Sequence, residues 1–423
     1  MRITYTVAIF LSLVLSAQMV MGTGGGRAKV LIMGFPQHIQ LVSIWFEADP
    51  MVDPRQVPAR AHQTTLDESD IQRFIRIYFP RTYEDLLEYE YFMLLVLEIF
   101  QFTQEQQKML YDAIAVDGRG AVQDRSVMST GEWISIPWAE SMLSDAFPND
   151  ADRVVGQSYS FSQLTLRYVI NSNPNVPEIF SPYSDFDGVE AVITHPYWTC
   201  IAIPKEGAVV TSYIIGAFAE GFGGVHADER FKSPGWMPHT MYWEYGNATT
   251  WTHHDSVGQD LYWDPARNAY SVDMLLAEFL FSTGRQLPSD VLLVHNLRLK
   301  FATFAASKGF IYSILDFVEK FGASSEPIIG KIWEIDEAAS RGREEYLGQA
   351  YVVSYDTMEG AIDEIEALRS EALKLKDRAL FWVYLTEWLA VSGVSLLSSF
   401  LLWNLMVHRR LYRDVKVTRG PPR

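Results

Sequence analysis

The chain is nearly without cysteine. Cys200 is the single one among 423 residues, which excludes an internal disulfide, a cysteine-based metal site and a thiol redox pair. Positive charge is scarce as well: 35 Lys and Arg stand against 52 Asp and Glu, a formal balance of −17. A nucleic-acid partner, which needs cationic surface to displace counterions from phosphates, is not expected. With 48% hydrophobic residues, 27 Gly and 19 Pro, the composition is neither that of a disordered chain nor that of a collagen. The length suits two or three domains and a sizeable buried core.

Long uncharged apolar runs are confined to the two ends. Met1-Arg2 is followed by an apolar stretch from Ile3 to about Met21 and then by Gly22-Thr23-Gly24-Gly25-Gly26. A basic start, an apolar centre and small residues at Val20 and Gly22 predict a signal peptide over residues 1–22. The alternative is an uncleaved anchor, since the run is almost long enough to span a bilayer. At the other end, Leu389 to Val407 is 19 residues without a charge. As a helix it would rise about 28 Å, close to the hydrocarbon thickness of a bilayer.

His408, Arg409, Arg410, Arg413, Lys416, Arg419 and Arg423 follow at once, so the positive-inside rule puts the tail 408–423 in the cytoplasm. Trp382, Tyr384 and Trp388 stand where an outer aromatic belt would lie, and Trp403 near an inner one. The expectation is a single-pass cell-membrane protein whose partner is the lipid bilayer through residues 381–407. The acidic body would be extracellular.

Within the body, Lys29-Val30-Leu31-Ile32-Met33-Gly34 has the form of a first buried strand, and Ile75-Arg76-Ile77-Tyr78 is a second such run after a polar stretch. Thr82 with Asp85 forms a helix-start signature. Tyr91 to Ile99 is apolar almost throughout, as a central parallel strand covered on both faces would be. Thr103 opens a helix with Met109, Leu110, Ala113 and Ile114 on one face, Gly118-Arg119-Gly120 ends it, and Ala121-Val122 starts another strand. This alternation predicts an α/β domain over residues 23–286 with a parallel sheet. Beyond Val154 short β-rich stretches follow at 190–194, 199–203 and 209–218. Tyr242 to Asn247 then leads into a polar loop, and Val272 to Phe281 forms a helix closed by Gly284.

The order of Val30-Leu31-Ile32-Met33, Tyr78-Phe79-Pro80 with Glu84-Asp85-Leu86, Tyr91 to Ile99, and Phe102-Thr103 to Gly118-Arg119-Gly120 resembles the class I glutamine amidotransferase-like superfamily. The stretch Tyr245-Gly246 to Trp251, then Asp255, Trp263 and a last helix, is similar to the way such domains end. The likeness covers roughly residues 28–285 and is nearest to membrane-anchored, degenerate versions of archaeal type. It implies a flavodoxin-like core. It also implies that an active member would carry a cysteine on a sharp strand-to-helix elbow, with a downstream His and Glu.

That cysteine is missing. The strand end Gly120-Ala121-Val122-Gln123-Asp124-Arg125-Ser126 has none, and Cys200 sits among apolar neighbours without an elbow glycine, as a core residue does. Ser126 is a candidate substitute, although no G-x-S-x-G surrounds it and a polar loop explains it as well. His253-His254-Asp255, with Asp260 nearby, is the densest cluster of acid–base or ligating groups. Adjacent residues on an extended segment face opposite sides, so His253 and His254 would not share one ion. His254 and Asp255 are the catalytic candidates, with His195, His226 and His239 as distant partners; the plain alternative is loop residues bonding backbone.

Gly221-Phe222-Gly223-Gly224 lacks the Lys-Ser/Thr of a phosphate loop. Asp185-Phe186-Asp187-Gly188 lacks the further acids of a calcium loop. Neither a cofactor nor a metal is expected. Asn247-Ala248-Thr249 is a glycosylation triplet. The aromatic residues between Tyr183 and Trp263 would suit either a core or a sugar-stacking face.

Pro288-Ser289-Asp290 starts a helical stalk over residues 287–380. Three apolar stripes run along it, the last from Met358 through Ala361, Ile365, Leu368, Ala372, Leu375 and Ala379 to Trp382, with Glu366–Arg369 and Glu371–Lys374 pairs in support. Nothing breaks the helix between Ala372 and the membrane segment. Three packed helices are expected, with self-association or a membrane-protein partner through the same stripes as the alternative. The functional expectation is a non-catalytic surface binding or scaffold protein. The rivals are an extracellular hydrolase without a cysteine, or a subunit of a membrane complex.

Overall fold

In the computed structural model, which describes residues 27–61, 64–124, 138–160, 166–190, 192–193, 198–216, 236–258, 262–322 and 324–417, the chain opens with β1 (Ala28–Gly34), α1 (Pro36–Glu47) and β2 (Val52–Pro58). α2 (Glu68–Tyr78) follows, capped by Asp67, whose side chain accepts from the Asp70 N–H. The run Ile75–Tyr78 is therefore the end of a helix and not a strand. Ile71 and Ile75, four apart, are buried, while Ile77 and Tyr78 face outward, so the helical period decides over the β-branched content. α3 (Tyr83–Leu87) starts with the capping box of Thr82 and Asp85. β3 (Tyr89–Leu95) is buried from Tyr91 on, and α4 (Gln104–Ala115) begins with a second capping box of Thr103 and Gln106. β4 (Gly120–Asp124) is buried throughout.

Seven further strands follow: β5 (Asn149–Ser160), β6 (Leu166–Ile170), β7 (Val192–Ile193), β8 (Trp198–Pro204), β9 (Val209–Gly216), β10 (Trp236–Tyr245) and β11 (Ala248–His253). The main sheet has nine strands in the order β2-β1-β3-β4-β11-β10-β9-β6-β7. Its β2-β1-β3-β4-β11 half is parallel, and from β11 to β7 every pairing is antiparallel. β5 and β8, the strand that carries Cys200, pair in a separate antiparallel ribbon.

The α/β expectation holds, but the sheet is mixed and not purely parallel. Where a polar loop was expected after Asn247, the strand β11 follows at once, joined to β10 by a two-residue turn at Gly246 and Asn247 with Gly246 at φ 59°. A glycine at positive φ in the first central position is what a tight hairpin requires, and such a hairpin leaves only the antiparallel choice. β11 then runs parallel to β4, with Thr250 opposite Ala121 and His253 opposite Asp124.

α5 (Ser271–Ser282) packs on β4 and β11. On one face of the sheet, Leu31, Met33, Phe92 and Leu94 form one core with Ile71 and Ile75 of α2 and Leu110 and Ile114 of α4.

The remainder is helical: α6 (Val291–Glu319), α7 (Glu326–Leu347) and α8 (Tyr351–Val417). Asp290 caps α6 by accepting from the Leu293 N–H at 2.9 Å, and Gly322, at φ 77°, stands in the turn beyond its end. The chain divides into two compact units, one running to Leu299 with Tyr346–Tyr351, the other comprising Lys300–Glu345 and the chain from Val352 on. Within the second unit Ile311, Leu315 and Val318 of α6, Ile332 and Ile335 of α7, and Met358, Ile365 and Leu368 of α8 are all buried.

Lys308 pairs with Asp336, and Glu366 with both Ser307 and Arg369. The expected Glu371–Lys374 pair gives way to Glu371 with Lys331 of α7 at 2.7 Å, because a packed neighbouring helix offers a partner that an isolated one lacks. α8 is one unbroken helix of 67 residues. Its apolar window beyond the buried stripe has none of its surface covered by protein.

Candidate functional site

The carboxyl ends of parallel strands are where open α/β sheets place their ligands, above all at the strand pair where the connections change direction. Here the chain passes from β1 out to β2 and back to β3, so that point lies between β1 and β3. It is filled. Gly34, at φ 139°, brings the backbone so close that a Cβ there would meet the Leu95 carbonyl oxygen at 1.8 Å. The Phe35 N–H donates to that same oxygen at 2.9 Å. Arg60 lies over the Phe35 ring and donates to the Val96 carbonyl oxygen.

Val96 itself has φ 50°, a left-handed conformation rare for a β-branched side chain, held only where the surroundings over-determine it. Among the described residues a sharp strand end stands after β3, and its residue is an aliphatic one only 6% exposed; the chain after β4, with Ser126, lies outside them. Asp124, at the end of β4, accepts from the Val96 N–H through Oδ1 and from the Val257 N–H through Oδ2. One carboxylate thus ties the end of β3 to the loop that follows β11.

The second half of the edge is a buried polar cluster. His253, the last residue of β11, turns Nε2 to Glu278 of α5 at 2.8 Å. His239, on β10, sets Nε2 at 2.9 Å from Asp255 Oδ2, at ion-pair distance although the ring N–H is not aligned along that line. Its Nδ1 meets the Ser212 hydroxyl of β9 at 2.9 Å. Trp263 donates to Asp255 Oδ1 at 2.7 Å and Tyr168 to Oδ2 at 3.3 Å. Tyr168 and Tyr262 stack on one another beside His239.

Burial alone would raise the Asp255 pKa, but His239, together with the Trp263 hydrogen bond and His253, holds it at about 2. Burial lowers that of His253, yet Glu278 more than offsets this and leaves it raised, while burial pushes Glu278 up.

Asp255 is thus a charged, fully buried acceptor, and its histidine is His239, not His254. The sequence placed His239 only as a distant partner, and nothing local marks it. His254 is 3% exposed, and both its Nδ1 and its backbone N–H donate to the His239 carbonyl oxygen. Glu278 and Ser212 were missed altogether. A buried acid in an otherwise apolar helix, Met274-Leu275-Leu276-Ala277-Glu278-Phe279-Leu280, was the available signal for the first. Ser126, His195, His226, Asp260 and residues 1–22 lie outside the described residues. Among the described residues no group of three His, Cys, Asp or Glu side chains is placed to hold a metal ion.

No protein-family model matches the chain, and no curated protein matches it in sequence. Among solved structures it is similar to two cytoplasmic proteins of Salmonella typhimurium. The first has a TM-score of 0.40 at 12% identity, covering 60% of this chain and 98% of that one. The second has 0.38 at 14%, covering 59% and 99%. A β-galactosidase from Bacillus circulans sp. alkalophilus is similar at a TM-score of 0.32 and 12% identity, over 61% of this chain and 31% of that one. With TM-scores below 0.5 these likenesses carry no argument about what this chain does.

Proposed function

We propose that this chain is a non-catalytic cell-surface binding or scaffold protein. Its body is a degenerate, amidotransferase-like α/β domain, anchored by one membrane helix over 381–407, outside the cell and with the tail 408–423 in the cytoplasm. The observation that carries the reading is the filled carboxyl edge between β1 and β3, with the buried polar cluster beside it. The strained end of β3 bears Val96, an aliphatic side chain, and the carboxylates of Asp124, Asp255 and Glu278 are turned onto histidines and backbone N–H groups of the protein itself. The strand order β2-β1-β3-β4 with β11 beside it supports a flavodoxin-like core, which shares that order.

The bare apolar stretch of α8 supports the anchor. Phe381, Trp382, Leu389, Leu396, Leu402 and Trp403 are all more than half exposed, and a surface of that kind calls for lipid. α6 is also long and apolar enough to cross a membrane, but 39% of its apolar window is buried within the protein, as in a bundle helix.

Protease treatment of intact cells tests the orientation and should remove the acidic body while sparing the membrane helix. A broad hydrolase screen of the detergent-purified full chain tests the rest. Turnover that vanishes in Asp255→Asn would overturn the non-catalytic reading.

One observation favours a second reading. Ser212, His239 and Asp255 form a hydroxyl–imidazole–carboxylate relay, the arrangement of a serine hydrolase. Against it, Ser212 is 1% exposed and sits inside a paired strand, where the backbone N–H groups serve the sheet ladder. Labelling by a fluorophosphonate probe that is lost in Ser212→Ala would favour the hydrolase.

A further inference from the structure

We propose that Asn247 is glycosylated and that its first sugar rests in a cavity beside the β10–β11 turn. The proposal rests on the exterior placement of the body under Proposed function. Three separate observations meet at this point.

Asn247-Ala248-Thr249 is the one Asn-x-Ser/Thr triplet in the whole sequence. The fold places its asparagine at the tip of a two-residue hairpin turn, exposed, directly after Gly246. Its amide makes one long contact, Nδ2 to the Val116 carbonyl oxygen at 3.3 Å, so the group is held lightly and the core does not depend on it.

The second observation is a cavity of about 370 Å³ immediately beside that side chain, lined by Asn247, Thr249, Arg119, Glu90 and Phe281 among others. The third is an unsatisfied donor in its lining. Arg119 gives Nη2 to the Leu87 carbonyl oxygen at 2.8 Å, while its buried Nε has no acceptor among the described residues. A buried charged donor without an acceptor is costly. A sugar hydroxyl or ring oxygen supplies what it lacks, and Phe281 offers an aromatic surface for the apolar face of a pyranose.

The chemistry is glycosyl transfer from a lipid-linked glycosyl phosphate or pyrophosphate. The Asn247 Nδ2–C1 bond forms as the C1–O bond to phosphate breaks. The lipid phosphate leaves with that electron pair, and the amide loses one proton to the transferase base. Nothing is oxidised or reduced. The Thr249 hydroxyl belongs to the recognised triplet, so the transfer takes place on the chain as it crosses the membrane, before the hairpin pairs Glu244 with Thr249.

The test is mass spectrometry of the peptide containing Asn247, from full-length protein purified from membranes of the cells that make it. A glycan mass increment on Asn247 is expected. It should be lost completely in Asn247→Gln and Thr249→Ala and kept in Thr249→Ser. Arg119→Gln should keep the increment but speed its enzymatic removal several-fold, because the first sugar loses its charged contact. A fully unmodified Asn247 peptide from a body that protease shaving shows to be outside the cell overturns this inference and leaves the orientation standing. A body inaccessible to protease overturns both. A glycan whose removal rate is unaffected by Arg119→Gln overturns the seating in the cavity.

Discussion

His253 lies flat on Trp263, the ring centroids 4.7 Å apart and the planes 7° from parallel, while its Nε2 reaches Glu278 at 2.8 Å. Histidine and glutamate are both fully buried, and both have pKa values above their ordinary ones. The pair therefore holds one proton more firmly than the unfolded chain does. A group whose folded pKa is raised stabilises the fold below its unfolded value and loses that contribution as pH climbs through the folded one. For Glu278 the loss begins above about pH 4.5 and for His253 above about pH 6.5.

Thermal unfolding between pH 5 and 9 should show Tm falling with rising pH by a few degrees, about 1 kcal/mol for a domain of this kind. Glu278→Gln should flatten or reverse that slope, since a buried imidazole without its carboxylate resists protonation. An unchanged slope in the variant would rule out the pair as its source.

Arg298 is the charged centre of the first unit's helical junction. It pairs with Asp49 at 2.6 Å, with Asp273 at 2.5 Å and with the Tyr346 hydroxyl at 3.1 Å. Burial disfavours its charge, yet Tyr346 and the two carboxylates hold its pKa well above the usual arginine value. Arg298→Met should cost about 3–5 kcal/mol in denaturant unfolding, because two buried carboxylates lose their cation. Adding Asp49→Asn and Asp273→Asn to that variant should recover part of the loss. A fully additive triple variant would show that the three do not act together.

Val96 offers a test of strain. Ordinarily Gly is about 1 kcal/mol worse than Ala in ordered structure, for lack of backbone restriction. At φ 50° the order should invert: Val96→Gly should be at least as stable as Val96→Ala, since only glycine adopts that conformation without cost. Chemical denaturation of the two variants decides it.

The exposed apolar run of α8 makes a fourth prediction. Truncation after Leu380 should release the body into the carbonate-soluble fraction. Leu397→Arg, near the centre of the apolar run, should raise the insertion cost by about 3 kcal/mol and visibly reduce integration. Retention of the truncated chain on membranes would mean that something other than residues 381–407 holds it.

Much of this architecture was legible along the chain because its causes are local. Thr82 with Asp85 and Thr103 with Gln106 satisfy the first N–H groups of their own helices, and the three-and-four spacing from Met358 to Ala372 is buried as its period implied. Ile75–Tyr78 misled because β-branched residues do not exclude a helix when a cap and a four-residue spacing favour one. The polar loop expected after Asn247 misled because Ala248 to His253 carries three threonines, polar residues that suit a strand as well as a loop.

The sequence by itself determined that the chain can form no internal disulfide, that the long final helix carries an apolar run of membrane length, and that His253, His254 and Asp255 crowd one place. Which of them act together was decided only by tertiary structure. Asp255 meets His239 from the neighbouring strand and His253 meets Glu278 from a helix twenty-five residues on. Those partners are set by strand register and by which face of α5 packs on β11, and neither is written in the residues around either histidine. The same holds for Val96. Its identity is ordinary in a run of aliphatic residues, and only the close approach of Gly34 and the pull of Asp124 on its N–H turn it into the strained end of a strand.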